Sequence, residues 1–208
     1  MAEVHEIKHP LIQHKLTLLR MKETEPWLFR QLVNEITYLM LYEGTRNLRT
    51  TLVKISTPLE ETNAPILADE IVIVPILRAG VGMLDGFLRL MPMARVGFLG
   101  FRRNEDTLEP EEYYVKLPEL NSESRVIIAD PMLATGGTVI AAVDVIKKHG
   151  GRKIDIISLI ASPEGIKNLN RKHPDVNIYT ATIDRELDER GYIRPGLGDC
   201  GDRLFWTI

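Results

Sequence analysis

Short apolar runs that alternate with longer amphipathic stretches dominate the chain after residue 70. The clearest run, Val126 to Ala129, stops at Asp130. A loop of small and hydroxyl residues follows it, and apolar residues then recur at helical spacing up to Gly150. A short apolar run before such a helix is typical of a buried parallel strand. The segment therefore predicts a strand, a tight loop and a helix in succession.

The same alternation recurs before and after this segment. We expect further strands at residues 71–75, 94–101, 154–160 and 176–182. A helix should follow the first of them up to about Leu90. Another should begin at Ser162-Pro163, because serine caps helices and proline suits their first turn, and should stop before Pro174. Strands that alternate with helices predict an α/β fold, with a mostly parallel central sheet flanked by helices on both faces.

Three segments extend this core. Residues 10–20 have apolar positions at helical spacing, and Thr24 can cap a longer second helix that ends near Gly44, which gives an N-terminal helical segment. The polar, acidic residues of about 102–120 predict a protruding arm. The glycine-rich residues of about 184–208 predict a C-terminal hood over a site. Residues 104–112 could close over that site or could instead be a solvated or oligomer-contact arm.

Composition narrows the class of protein. A chain of 208 residues can form one domain with a substantial core, so we expect a single domain over 1–208. The net charge of −3 gives no reason to expect nucleic acid. One cysteine, Cys200, allows no internal disulfide and fits a reducing compartment. The chain lacks a signal-peptide pattern and an apolar run long enough for a bilayer, so we expect a cytoplasmic protein without a membrane partner.

The loop ATGGT, residues 134–138, is the first candidate site. Gly136 and Gly137 let the backbone turn tightly and approach a ligand, and amides at a helix start can hold an anion. No lysine follows the glycines, so the loop is not a P-loop, and it lacks the dinucleotide fingerprint GxGxxG. An ordinary strand-to-helix connector is the alternative interpretation.

Three separated blocks together resemble one enzyme family. Residues 126–138 resemble the phosphoribosyl diphosphate-binding motif of type I phosphoribosyltransferases, and DPMLATGGT is the form seen in uracil phosphoribosyltransferases. VPILRAGVGM (74–83) resembles the pyrophosphate loop of that enzyme, and GYIRPGLGDCGD (191–202) resembles its uracil-binding segment. The blocks occur in the order and spacing of the family, and the resemblance covers essentially the whole chain. Two departures are Pro131, where many type I members have a second acid, and Cys200, where we expect alanine.

The resemblance implies a site for 5-phospho-α-D-ribose 1-diphosphate (PRPP). Asp130 would bind the ribose hydroxyls, while Arg78 and Arg103 would bind the diphosphate; Arg102 could replace Arg103. A helix cap or buried hydrogen bond is the alternative for Asp130, and a surface ion pair or a solvated arm is the alternative for the arginines. The other residues that the resemblance implies for PRPP binding are Pro131, Met132, Leu133, Ala134, Thr135, Gly136, Gly137, Thr138 and Asp199.

The resemblance also implies a base pocket in the C-terminal segment. The backbone groups that would read uracil are those of Ile193, Gly198, Asp199 and Cys200. Cytosine reverses the donor and acceptor pattern, so such a pocket would leave buried groups unpaired and would reject it. The implied catalytic residues are Asp130, Arg78 and Asp199. Mg²⁺ would be bound mainly through PRPP and water, without a direct protein ligand.

The implied reaction converts uracil and PRPP to UMP and diphosphate in pyrimidine salvage, which makes the protein a pentosyltransferase. We expect a homodimer or larger homo-oligomer, and GTP, which activates some family members, is a candidate effector. One rival is a sister enzyme for another base. A second rival is a non-catalytic, RNA-binding regulator on the same fold, which would need a basic face that the acidic balance does not favour.

Overall fold

The computed structural model describes residues 3–103 and 110–207, without the side chain of Arg103. Its helices are α1 (Pro10–Arg20), α2 (Pro26–Gly44), α3 (Val81–Leu90), α4 (Gly137–Lys148), α5 (Pro163–Lys172) and α6 (Cys200–Phe205). Its strands are β1 (Val4–Glu6), β2 (Thr50–Ser56), β3 (Glu61–Leu67), β4 (Ile71–Leu77), β5 (Arg95–Val96), β6 (Phe98–Arg103), β7 (Pro110–Lys116), β8 (Arg125–Ala129), β9 (Met132–Leu133), β10 (Lys153–Ala161), β11 (Asn177–Ile183), β12 (Glu186–Leu187) and β13 (Ile193–Arg194).

The central sheet confirms the predicted α/β fold. Its strand order is β1-β11-β10-β8-β4-β6-β7, with β5 beside β4 and β9 beside β10. Every pair is parallel except β6 and β7, which form an antiparallel hairpin at the edge. Pro75 of β4 is opposite Ala129 of β8, so these strands end together. The loops that follow them therefore meet at one edge of the sheet, where ligands bind in open α/β folds.

Helices cover both faces, as predicted. Ile71 and Ile73 belong to one buried cluster with α1, α2, α3 and α6, whereas Val72 and Val74 belong to a second cluster with α4 and α5. The alternation follows from strand geometry, because successive side chains point to opposite faces. An apolar residue at every position of a strand is what a sheet buried on both faces requires.

A second hairpin is a feature that the sequence analysis missed. Strands β2 and β3 pair from Thr50 opposite Leu67 to Ser56 opposite Glu61, and most of their residues are exposed. Since neither face is buried in a core, the apolar pattern there does not alternate clearly. The predicted arm starts at the β6–β7 hairpin, but residues 104–109 lie outside the described residues. The two interpretations of residues 104–112 therefore both stay open.

Helix starts and the chain ends differ in detail from the prediction. Thr24 does not cap α2, which starts at Pro26 after Glu25; its hydroxyl donates instead to the carbonyl of Leu18. The unpredicted strand β1 extends the sheet beside β11. The C-terminal segment is more regular than expected, because β12 pairs with β13 and a short helix, α6, follows. Within residues 3–103 and 110–207, no helix has the length and apolar character needed to cross a membrane.

Candidate active site

The loop of residues 134–138 is supported by α5, the helix that follows the neighbouring strand β10. Ser162, the N-cap residue of α5, donates a hydrogen bond of 2.6 Å to the carbonyl of Ala134. The side-chain amide of Asn168 donates to the carbonyl of Thr135 at 3.0 Å. These contacts use carbonyl groups, whereas the amides at the start of α4 have no acceptor within their own helix. The amide of Ala134 donates to the carbonyl of Met132 at 3.0 Å, whereas that of Gly137 donates to the Thr135 hydroxyl at only 3.4 Å. The Gly137 amide can therefore exchange this long contact for a stronger acceptor.

Two glycines allow this packing. Gly136 has a φ of +83°, in the left-handed region that favours glycine. A Cβ atom on Gly165 would lie 2.3 Å from the carbonyl oxygen of Ala134, so only glycine lets α5 approach the loop this closely. The conformation of the loop is therefore set by backbone space as well as by hydrogen bonds.

The loop and Asp130 enclose a small cup of about 60 Å³. Pockets that hold a whole small molecule usually measure roughly 300–1,000 Å³. The cup is therefore suited to one anionic group of a larger ligand. Its position at the N-terminus of α4 adds the favourable end of the helix dipole.

Asp130 lies at the end of β8, beside this cup. Its Oδ1 accepts a hydrogen bond of 3.3 Å from the amide of Met132. Burial raises the pKa of its carboxyl group to about 6, although the amide of Met132 acts in the opposite direction. A carboxyl group whose ionisation is disfavoured by burial, at the mouth of an anion cup, is typical of a functional site. It is not the helix cap of α4, because Gly136 occupies that position.

The loop between β4 and α3 approaches the same edge. A Cβ atom on Gly80 would lie 2.3 Å from the carbonyl oxygen of Ala129 and 2.7 Å from that of Ile76. Only glycine therefore allows this loop to fold against the end of β8. Arg78 stands in the loop and is exposed, with its guanidinium 3.3 Å from Asp202 and 3.2 Å from the hydroxyl of Thr207.

The Arg78 contacts are long for an ion pair, so its guanidinium remains available to a stronger anion. The hydroxyl of Thr207 and the Arg78 guanidinium hold the pKa of Asp202 below its usual range. Both arginine partners come from the C-terminal segment, so the arginine joins that segment to the sheet edge. A cavity of about 500 Å³ opens here, lined by Leu77, Arg78, Ala79, Phe101, Arg102, Tyr113, Asp199 and Gly201.

The predicted hood contributes the opposite wall. Asp199 is the N-cap residue of α6 and accepts a hydrogen bond of 2.9 Å from the amide of Asp202. Ile193 and Cys200 are buried, and Gly198 has a φ of +83°. A second cavity, of about 830 Å³, is lined in part by Ile193 and Gly198. The four residues predicted to read a base thus lie along one turn-rich segment.

The hood also meets the loop between β4 and α3. Burial raises the pKa of the Cys200 thiol far above its ordinary value, and the carboxylates of Asp130 and then Asp199 act in the same direction. These two acids come from segments about seventy residues apart in the sequence. An oxygen of the Asp199 carboxylate and a nitrogen of the Arg78 guanidinium lie 3.3 and 3.7 Å from the position that a Cβ atom on Gly201 would occupy, so the hood meets the arginine loop beside Asp199.

Not every predicted donor-binding residue exposes its side chain. Leu133 is fully buried in the core, and the carbonyl of Pro131 accepts hydrogen bonds from the amides of Leu159 and Ile160. Any ligand contact from these positions would use the backbone. Arg102 forms a two-point ion pair with Glu111, at 3.0 and 3.1 Å. The side chain of Arg103 lies outside the described residues, so its role stays a prediction.

Several residues that support the site were missed by the sequence analysis. They are Ser162 and Asn168 behind the loop, Asp202 and Thr207 beside Arg78, and Arg20, Asp184 and Arg203 behind the hood. The sequence identified Ser162 as a helix cap, but it offered no sign of the hydrogen bond from Ser162 to the carbonyl of Ala134. The others act across long sequence separations, for which a single sequence offers no pattern.

A parallel sheet with an anion loop, an arginine loop and a hood at its carboxyl edge defines a type I phosphoribosyltransferase. A hypoxanthine phosphoribosyltransferase of Staphylococcus aureus shares this fold, with a TM-score of 0.52 over 80% of this chain and 84% of that chain, at 16% identity. The AQ2163 protein of Aquifex aeolicus is much more similar, with a TM-score of 0.94, 42% identity and 98% coverage of both chains.

Sequence comparison gives the particular family. The family model for uracil phosphoribosyltransferase matches residues 6–207. The uracil phosphoribosyltransferase of Listeria innocua is 54% identical over 208 residues, which is 100% of both chains. That of Thermosipho africanus is 53% identical over 206 residues, or 99% of both chains. The chain belongs to the uracil phosphoribosyltransferase family, a family of pentosyltransferases, as the resemblance in the sequence implied.

Proposed function

We propose that the residues at the carboxyl edge of the sheet join N1 of uracil to C1′ of PRPP, giving UMP and diphosphate. The observation that carries this proposal is the convergence of three segments there. A cup at the start of α4 is lined by Asp130, and an exposed arginine and the turn-rich hood lie beside Asp199. The family relationship supports the same reaction.

The donor would be held by its anionic groups. The 5′-phosphate fits the cup of about 60 Å³, where the amides and hydroxyls of residues 134–138 can donate to it. The diphosphate would lie in the adjoining cavity with Arg78, whose planar guanidinium suits two-point contact with phosphate oxygens. Arg103 is proposed as its second cation, with Arg102 as the alternative.

Asp130 would bind the ribose, which lies between the 5′-phosphate and the diphosphate of PRPP. Its carboxylate would accept hydrogen bonds from the ribose hydroxyls. Departure of the diphosphate leaves positive character on C1′, as in other glycosyl transfers. A nearby carboxylate stabilises that charge, so catalysis would depend on positioning and electrostatics rather than on a covalent intermediate.

Mg²⁺ is proposed as the companion of PRPP. Among the residues that the structure describes, no group of three or more acidic, histidine or cysteine side chains could hold a metal ion. The two carboxylates of Asp130 and Asp199 nevertheless fit an ion that is bound chiefly by substrate oxygens and water. When bound, the ion would neutralise charge on the leaving diphosphate. Asp199 could orient one of its waters.

Uracil would be read by backbone groups of Ile193, Gly198, Asp199 and Cys200. Its carbonyl oxygens accept hydrogen bonds and its N3–H donates one, so a rigid backbone edge can match it. Cytosine presents the reverse pattern at position 4 and N3, and would leave buried groups unpaired. The buried thiol of Cys200 packs in the core and plays no chemical part in this proposal.

The oligomeric state is proposed from the exposed hairpin. Leu52, Ile55 and Leu59 on β2 and its turn are exposed, as are Ile66 and Leu67 on β3. A two-stranded hairpin is only marginally stable in water by itself. We propose that a second copy of the chain covers these residues, which analytical ultracentrifugation would test. GTP activation and a cytoplasmic location, which suits a chain with one cysteine, remain proposals that activity assays and fractionation would test.

The first experiment is product formation with Mg²⁺, PRPP and, separately, uracil, cytosine, hypoxanthine and adenine. UMP formed from uracil alone would support both the reaction and the base pocket. Product from another base would retain the enzyme class but overturn the proposed role of residues 193–200. No product from any base, with or without GTP, would contradict catalysis and would favour the regulator, which a gel-shift assay across salt concentrations would detect.

A further inference from the structure

Two arginines that do not themselves contact uracil in the proposed complex bind the backbone of the uracil-reading segment. The segment of interest, residues 196–197, lies between Ile193 and Gly198. Arg20 is the last residue of α1, and Arg203 belongs to α6. Both side chains contact this segment across the interior of the hood. The sequence analysis assigned no role to either residue.

Arg20 and Asp184 form the first anchor. The guanidinium of Arg20 donates to both carboxylate oxygens of Asp184, at 2.7 and 2.5 Å. It also donates to the carbonyl of Gly196 at 2.7 Å, while the amide of Gly196 donates to Asp184 at 2.8 Å. Both polar backbone groups of Gly196 are therefore bound by one ion pair. The carboxylate side chain of Asp184 is only 5% exposed, which strengthens these bonds.

Arg203 forms the second anchor. It donates to the carbonyl of Leu197 at 2.9 Å and to the carbonyl of Met21 at 2.6 Å. Its guanidinium also lies over the ring of Phe29, 4.4 Å from the centroid. Met21 follows Arg20 in the chain, so the two anchors meet at the C-terminal end of α1. That end of the helix serves as a common support for the hood.

The backbone of Gly196 and Leu197 has little conformational freedom. Gly196 has a φ of +59°, and a Cβ atom on it would lie 2.1 Å from the carbonyl oxygen of Ile193. The turn from Ile193 to Gly196 is therefore closed tightly. A displacement of Gly196 or Leu197 must move Ile193 on one side and Gly198 on the other. Both are among the residues whose backbone groups are proposed to read uracil.

We propose that Arg20, through its ion pair with Asp184, and Arg203 are positioning residues that hold the uracil-reading backbone of residues 193–200 in register for the base. This inference rests on the proposed function. Neither arginine touches the donor site in this arrangement. Their contribution should therefore appear in the binding and discrimination of the base, and not in the binding of PRPP.

Conservative variants test this role without leaving Asp184 as an unpaired buried charge. Arg20→Lys keeps a cation beside Asp184 but cannot span the carboxylate and the Gly196 carbonyl together, and Arg203→Lys cannot reach both Leu197 and Met21. We expect each variant to raise the KM for uracil about tenfold, because each loses about one hydrogen bond to the segment that positions the base. The KM for PRPP should change by less than about twofold. The preference for uracil over cytosine should fall as well.

Arg30→Lys is the matched control. Arg30 of α2 donates to the carbonyl of Leu204 at 2.9 Å. It therefore binds the same C-terminal segment, but outside residues 193–200. It should lose comparable thermal stability without a selective rise in the KM for uracil. An equal rise in both KM values for Arg20→Lys and Arg203→Lys, or an unchanged KM for uracil, would overturn the proposal.

Hydrogen exchange separates this inference from the proposed reaction. In Arg20→Lys and Arg203→Lys, the amides of residues 193–200 should exchange faster than in the wild-type protein. Those of residues 134–138 should not change. Failure of the wild-type protein to form UMP would refute the reaction and the reading of uracil, yet the exchange result would still establish the anchoring. Unchanged exchange in both variants would refute the anchoring itself.

Discussion

The anion loop and the hood lie at the same edge of the sheet but are held in different ways. Residues 134–138 are fixed by Ser162 and Asn168, the N-cap and a residue of α5, which follows the neighbouring strand β10. The hood is fixed by Arg20, which is 176 residues from the Gly196 carbonyl that it binds. The supports of the loop lie 28 and 33 residues from the carbonyl groups that they bind, whereas the hood forms only when the two ends of the chain meet.

This difference matches what each half of the site has to bind. A phosphate group is recognised by amides at a helix start, and a single βα unit supplies them. A neutral base offers little charge, so its recognition depends on exact placement of backbone donors and acceptors. Placement of an irregular segment needs support from several directions. We therefore expect changes in the loop to affect the donor, and changes in the hood to affect the base.

The largest effect should follow from Asp130→Asn. Loss of the carboxylate removes charge stabilisation of the ribosyl cation, and we expect kcat to fall about 10²–10³-fold. The exposed Asp85→Asn on α3 is the control and should retain activity. Steady-state kinetics would measure both variants. Wild-type kcat in Asp130→Asn would remove Asp130 from the mechanism.

The same substitution should stabilise the fold. Burial raises the pKa of Asp130 from its ordinary value of 3.8 to about 6, so the folded state binds a proton more tightly than the unfolded chain. The wild-type protein consequently loses stability as the pH rises from about 4 to 6, and the loss persists above 6. Asp130→Asn should be about 1–3 kcal/mol more stable at pH 7. Denaturant titrations should show this gain disappear below about pH 4.

A pH profile gives the matching test on activity. Below about pH 6 the carboxyl of Asp130 in the free enzyme is protonated, and kcat/KM for PRPP should fall about tenfold per pH unit. The residual activity of Asp130→Asn should lack this acid limb. That comparison separates Asp130 from ionisation of the phosphates of the donor. An acid limb of the same position in both enzymes would assign it to the substrate.

The next largest effect should be weaker binding of PRPP in Arg78→Ala. We expect kcat/KM for PRPP to fall about 10–100-fold, since a charge-assisted contact with phosphate contributes roughly 1.5–3 kcal/mol. The KM for uracil at saturating PRPP should change much less. Arg89→Ala on α3 is a control for loss of a surface arginine. Equal effects on the two substrates would count against a diphosphate role.

Ser162→Ala probes the local support of the loop. It removes the bond to the Ala134 carbonyl and the cap of α5, so we expect a loss of about 1–3 kcal/mol in stability and a several-fold rise in the KM for PRPP. The buried Ser124 precedes β8 at the opposite edge of the sheet. Ser124→Ala should therefore leave the KM for PRPP unchanged. A rise in the KM for uracil instead would contradict the division between loop and hood.

The smallest effect concerns the end of the hood. Trp206 follows α6 with a φ of +54°, and its side chain is largely exposed. Glycine adopts this conformation without strain, so Trp206→Gly should stabilise the protein by up to about 1 kcal/mol. Trp206→Ala removes the ring but keeps Cβ, and should show no such gain. Thermal unfolding of the pair distinguishes backbone strain from loss of the indole.

The sequence predicted the strand, turn and helices around residues 134–138 well because their signals are local. Val126 to Ala129 gave the strand, the glycines gave the turn, and Ser162-Pro163 gave the start of α5 almost to the residue. The hood was located by resemblance, but its regular elements and supports were not. The hairpin of residues 50–67 was missed, since strands exposed on both faces have no clear period.

The amino-acid sequence by itself determined the alternation of strands and helices after residue 70, the doubly buried sheet and the glycine turn before α4. These follow from apolar spacing, backbone freedom and helix-start amides within a few residues of one another. Only the tertiary structure brought Asp202 beside Arg78 and Arg20 behind Gly196. Such contacts depend on the path of the whole chain, because hydrogen bonds and buried charges act over a few ångströms of space at any separation in sequence.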